Sequence, residues 1–129
     1  TWRNDTTVSG SAWVQLTGSS VNGTTSGGGV LISLNLYLIS SFGADATCQP
    51  TIDGAWAGSF AGLESPGDYS EGQVHVRPGE WTQWAPTRYY PSVPAGTHSF
   101  AVQCKVAMGG SMDVANLSIP VSMSVVEVK

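Results

Sequence analysis

The sequence predicts an all-β protein, an antiparallel β-sandwich with a jelly roll favoured. Three observations carry this. Short runs alternate apolar and polar residues with period two, the pattern of half-buried strands. Sixteen Gly and seven Pro punctuate the chain between those runs. No segment shows capped 3.6-residue periodicity, so almost no helix is expected.

The clearest strand covers residues 30–40. Val30, Ile32, Leu34, Leu36 and Leu38 form one face, which is expected to meet the core. Leu31, Ser33, Asn35, Tyr37 and Ile39 form the other, apolar enough to be covered as well. A second strand spans 98–108, with Phe100, Val102, Cys104, Val106 and Met108 on one face. The last spans 116–128. There Leu117, Ile119, Val121, Met123 and Val125 face in, while Ser118, Ser122 and Ser124 face out. Pro120 lacks a ladder donor and marks an edge or a bulge. Weaker strands fall at 11–16, 19–24, 46–53 and 81–90, and Trp13 in the first is expected in the core. The stretch 54–79 reads as a long excursion with one or two short strands. Many short strands without helices give a sandwich, and consecutive long strands favour the jelly roll. The chain divides into an N-terminal arm, residues 1–10, and one domain, residues 11–129.

Composition narrows the function. The 129 residues carry five Lys+Arg against nine Asp+Glu, a formal net charge of -4. Phosphate binding needs a basic face, which five scattered cations do not build. Nucleic acid and anionic membranes are therefore disfavoured. Hydrophobic residues reach 41%, which argues against disorder. No run approaches the roughly 18 apolar residues of a membrane span. The chain begins at Thr1, the mark of processing or of an excised domain.

Cys48 and Cys104 each fall in an expected strand. A disulfide between them would close a loop of about 56 residues and contribute on the order of 4 kcal/mol. That pairing follows by analogy with secreted β domains. The alternative is two buried thiols packing as small hydrophobes. Two Cys with distant His75 and His98 lack metal-ligand spacing, and no cofactor is expected.

Catalytic motifs are missing. His75 lies in the alternating run Gln73-Val74-His75-Val76-Arg77 and reads as a strand residue. His98 follows a turn and is expected to bond locally. The carboxylates Asp45, Asp53, Glu64, Asp68, Glu71, Glu80 and Asp113 stand mostly beside turn residues, not in a glycosidase pattern. Asp45, Asp53 and Asp68 are a weak calcium candidate. Gly27-Gly28-Gly29 precedes a strand, not a helix, and is no phosphate loop.

The aromatics are the remaining signal. The densest cluster holds Trp81, Trp84, Arg88, Tyr89 and Tyr90, and Trp56 lies in the excursion. Trp81 and Trp84 differ by three positions, so a regular strand sends them to opposite sides. These residues suit either a sugar platform or a core with a subunit interface, where Trp, Tyr and Arg are enriched. Trp2, Leu31, Tyr37 and Ile39 are further interface candidates. Asn4, Asn22 and Asn116 head glycosylation sequons, which matter only in a host that glycosylates exported protein.

The order of features resembles one family. A tryptophan strand (Ser11-Ala12-Trp13-Val14-Gln15-Leu16) leads through a Gly-rich turn to the long apolar strand. Ile52-Asp53-Gly54 follows, then Pro94-Ala95-Gly96-Thr97-His98-Ser99-Phe100-Ala101-Val102-Gln103, then Ser122-Met123-Ser124-Val125-Val126-Glu127-Val128. This is similar to the jelly-roll head domains of phage tail and other virion-surface proteins and of bacterial collagen-like surface proteins. Those resemble tumour-necrosis-factor-like and complement-type heads. The resemblance implies an extracellular or virion location, frequent trimers, and attachment or stabilising roles without catalysis. The two cysteines and the 54–79 excursion depart from it.

The expected function is thus a non-catalytic structural or attachment module of a virion or extracellular assembly. It would contact copies of itself and neighbouring assembly proteins. A carbohydrate-binding module for a cell-surface glycan is the alternative, and a small hydrolase the remote third.

Overall fold

The computed structural model describes residues 6–10, 12–57, 73–107, 110–114 and 121–128. These residues hold strands and no helix, arranged as two antiparallel sheets packed face to face.

The first sheet is organised by the long strand β4 (Gly28–Ile39). Its twelve residues are enough to pair with two partners in succession on each side. On one side lie β9 (Thr87–Val93) and then β8 (Thr82–Trp84). They are one strand interrupted at Ala85-Pro86, where Leu34 N–H still donates to Pro86 O. On the other side lie β12 (Ser122–Val128) and then β11 (Ser111–Val114). β1 (Thr6–Ser9) pairs with β11, so part of the segment read as an arm belongs to the sheet.

The second sheet is organised by β10 (Gly96–Val106). Along one side it pairs with β3 (Val21–Thr25) and β2 (Val14–Gln15). Along the other it pairs with β5 (Ala44–Ile52). β5 in turn carries β6 (Ala55–Trp56) and β7 (Gln73–Val76). The β5–β6 hairpin turns through Asp53 (φ 53°) and Gly54 (φ 81°). Positive φ at both central residues is the turn that Asp-Gly favours, because its twist matches the flanking strands.

The core face of β4 is as alternation predicts. Val30, Ile32, Leu34, Leu36 and Leu38 are all buried between the sheets. Opposite them lie Phe100, Val102, Cys104 and Val106 of β10, also buried. Val121 is buried, and Met123 and Val125 of β12 pack against the same cluster. Cys48 and Cys104 are directly paired across β5 and β10, with Cα atoms 4.1 Å apart, and form a disulfide inside the core. Trp13 is not part of that core. Val14 pairs with Cys104, so Trp13 lies on the outer side, half-buried, with the Lys105 ammonium 4.7 Å from its ring centre.

From Ala46 to Ile52, β5 is buried on both faces. Its outward residues Thr47, Gln49 and Thr51 are covered, as is Ala101 of β10. The outer face of the second sheet is therefore not the solvent-facing side along β5. The candidates at 2, 4, 58–72, 108 and 115–120 lie outside the described residues. These include Trp2, Asn4, Glu64, Asp68, Glu71, Met108, Asn116, Leu117 and Pro120.

Candidate functional site

Among the described residues, the outer face of the first sheet is open to solvent across its width. Alternation sends Leu31, Ser33, Asn35, Tyr37 and Ile39 of β4 outward, and all five are half-buried. The register sets their neighbours. Leu31 lies between Tyr89 and Val126, and Ser33 lies between Thr87 and Ser124. Ser122 is beside Asn35, Gln83 beside Tyr37, and Asp113 beside Ile39.

These rows form bands across the sheet. The first is apolar: Leu31 with Tyr89 (49% exposed), Val126 (53%) and Val128 (44%). Tyr89 lies across Gly29, where a Cβ would come within 2.2 Å of its ring. Glycine is thus what lets the ring rest on the sheet. The next band is hydroxyl, with Thr87 Oγ1 donating to Ser33 Oγ at 2.9 Å. The third is amide, with Gln83 Nε2 donating to Asn35 Oδ1 at 2.8 Å. Asp113, at the far end, accepts from Thr7 Oγ1 at 2.8 Å. It is the one charged side chain at the outward positions of this sheet among the described residues.

The aromatic cluster does not converge. Tyr90 pairs with Val30 and Trp84 with Leu36, both inward positions of β4. Tyr90 is therefore core, and Trp84 packs half-buried against it. Trp56 is 5% exposed. Trp56 and Tyr90 are thus buried, the core half of the alternative that the sequence left open for the aromatics. The cause is strand parity for Tyr90, and for Trp56 its place beside Thr51 on the covered outer side of β5. Arg88 pairs with inward-facing Ile32 and is half-buried at the flank of the sandwich. Of the cluster, Tyr89 and Trp81 (38% exposed) reach solvent. The sequence reading missed Val126, Val128 and Gly29. Following the outward set Ser122, Ser124 two steps further would have found the valines.

The histidines occupy opposite ends of β5. His98, 8% exposed, has Nδ1 2.6 Å from Asp53 Oδ2 and Nε2 2.7 Å from Pro94 O. Asp53 Oδ1 also accepts from Ser99 N–H at 2.8 Å. Hydrogen bonds from His98 and Ser99 hold the Asp53 carboxyl below its ordinary value. The Asp53 carboxylate, and then the Pro94 carbonyl, raise His98 above its own. A general base needs a free ring nitrogen to receive a proton from a nucleophile. His98 has both engaged.

His75 Nδ1 lies 2.7 Å from Asp45 Oδ1, both well exposed, beside a concavity of about 410 Å³. Its described lining includes Phe42, Ala44, Pro78 and Ala107 but no hydroxyl or thiol. Phe42, 95% exposed at the β4–β5 turn, lines both it and a second concavity of about 460 Å³. Asp45 and Asp53 flank opposite ends of β5, so the calcium grouping does not assemble. Among the described residues no cluster of three or more metal-ligating groups occurs. No described helix is long and apolar enough to cross a membrane.

No protein-family model matches this chain, and no curated protein matches it in sequence.

Proposed function

We propose that this chain is a non-catalytic structural or attachment module of a virion or extracellular assembly, acting through protein–protein contacts. The observation that carries the reading is the outer face of the first sheet. It is broad, regular and almost uncharged, and one end carries an apolar group in which exposed Tyr89, Val126 and Val128 surround half-buried Leu31. Exposed contiguous apolar surface on a folded domain marks contact with another surface. The buried disulfide supports an oxidising location, because reducing compartments keep thiols free. The chain path supports a jelly roll, since it crosses between sheets from β3 to β4, β4 to β5 and β9 to β10.

The test is sizing by light scattering over a range of concentration, with and without Val126→Asp. Concentration-dependent association abolished by that change, with the fold intact by circular dichroism, is the expected result. A monomer at every concentration that also captures no assembly partner through this face would sink the reading.

A second reading has its own observation. Tyr89 places an exposed ring over Gly29 at one end of a face whose further rows, at Ser33 and Asn35, are hydroxyl and amide, an arrangement that suits an extended glycan stacking on the ring and bonding further along the sheet. Glycan-array binding lost in Tyr89→Ala but kept in Val126→Asp would favour it over protein contact.

A further inference from the structure

We propose that His98 is a proton-operated latch: protonated, it ties together the turns that close one end of the sandwich; deprotonated, it lets go of the β9–β10 turn. The inference goes beyond the reading of the chain as an attachment module and does not depend on it.

Hydrogen-bond valence sets what the His98 ring can hold in each protonation state. The ring of His98 touches acceptors on both sides, Asp53 Oδ2 at 2.6 Å and Pro94 O at 2.7 Å. A backbone carbonyl only accepts, and so does an ionised carboxylate. Both bonds are complete only when both ring nitrogens carry protons. A neutral imidazole has one N–H and must leave one oxygen facing a lone pair. The bond to the carboxylate is charge-assisted and the stronger of the two. The neutral ring therefore keeps Asp53 and releases Pro94.

The latch joins segments remote in sequence. Asp53 is in the β5–β6 turn, with its N–H donating to Ser99 O at 2.7 Å and its Oδ1 accepting from Ser99 N–H. Pro94 begins the β9–β10 turn, and its carbonyl also accepts from Thr25 Oγ1 of β3 at 2.7 Å. Ala95 packs on Gly27 of the β3–β4 turn, where a Cβ would be 3.6 Å away. With His98 neutral, the Thr25 hydroxyl is the remaining side-chain tie on the Pro94 carbonyl among the described residues.

The surroundings contain little that competes. β3 presents Gly23 opposite His98, and Thr25, neither titratable. The Phe100 ring meets the imidazole edge-on at 6.3 Å. The charged groups at this end among the described residues are Asp53 and Glu127. Glu127 is engaged by the Ser26 N–H and hydroxyl. The direction of the His98 shift agrees with the geometry. A folded value above the unfolded one means the latch's contribution to stability is fully present below the unfolded value, about 6.5. It is lost as pH rises through the higher folded value.

The experiment is an imidazole ¹⁵N NMR titration of the full chain from acid to alkaline pH, folded and in urea, with amide exchange followed in parallel. The expected result has both His98 nitrogens protonated at the acid end and a midpoint higher folded than unfolded. Protection at Ala95, Gly96 and Thr97, corrected for intrinsic exchange, falls as pH passes that midpoint. His98→Gln removes the pH dependence if it folds. Asp53→Asn keeps a residue type that tolerates positive φ and moves the midpoint down. A folded midpoint at or below the unfolded one, protection unchanged across it, or a midpoint indifferent to Asp53→Asn would overturn the latch.

Discussion

The Tyr89 ring occupies the space that a side chain on Gly29 would need: a Cβ there would lie 2.2 Å from Tyr89 Cε2. Tyr89 pairs with Leu31, two residues along β4 from Gly29 on the same outward face. The exposed aromatic at the candidate interaction face is therefore placed by an absent side chain on a neighbouring strand.

Gly29→Ala must push the ring off the sheet or shift the strand. Overpacking of this kind costs about 1–3 kcal/mol. Urea unfolding of Gly29→Ala, Tyr89→Ala and the double variant forms a thermodynamic cycle. The expected outcome is that Tyr89→Ala removes most of the Gly29→Ala penalty. Simple additivity of the two would show that ring and glycine do not interact.

The disulfide constrains the unfolded chain across a sequence separation of 56 residues. In the chain-entropy account that is about 4 kcal/mol of stability. Because both cysteines are fully buried, a Cys48→Ala, Cys104→Ala variant also loses core packing. Urea midpoints of the oxidised protein, the reduced protein and this variant are expected to fall in that order.

Leu36 and Ser124 test the assignment of faces. Leu36 is fully buried, and Leu36→Ala is expected to cost about 2–5 kcal/mol. Ser124 faces outward on β12, and Ser124→Ala is expected to stay within about 0.5 kcal/mol. Thermal unfolding of both variants checks the pair; comparable losses would mean that the sheet faces are misassigned.

The two tryptophans of the 81–84 segment divide in the same way. Trp84 packs against the core from an inward position, so Trp84→Ala is expected to lower stability by about 2 kcal/mol or more. Trp81 is partly exposed before β8, and Trp81→Ala is expected to leave stability nearly unchanged. Tryptophan fluorescence during unfolding reports both.

On the acid side the sign follows from Asp53. Its carboxyl is held below the ordinary value of 3.8, first by the His98 bond and then by the Ser99 N–H. The contribution is present above the unfolded value and lost as pH falls through the folded one. Asp53→Asn should therefore lower the urea midpoint near pH 5 and converge with the parent protein in strong acid. Parallel curves across that range would remove Asp53 from the stability of this end.

Period-two alternation is a property of each strand by itself, and it made the main strands and their core faces readable. Val30 to Leu38 and Phe100 to Val106 are buried on the faces that alternation named. The same parity put Cys104 inward, and the oxidised pair Cys48–Cys104 bears out the disulfide expectation. Short segments carry too few residues for a period to show, which is why β1, β6 and β11 had no signal of their own. The aromatic cluster misled because density along the chain is not density in space. Trp84 and Tyr90 turn inward, while Tyr89 between Arg88 and Tyr90 turns out.

The sequence by itself determined that this chain forms strands, which faces of its two longest strands meet the core, and that its composition is short of charge. Only the tertiary structure decided which outward residues stay open. Thr47, Gln49 and Thr51 look like surface residues yet are buried, while Tyr89, Val126 and Val128 look like core residues yet stand in solvent. A strand's own pattern says that it has two sides. What lies against each side comes from other parts of the chain, through register and sheet packing that no local pattern encodes.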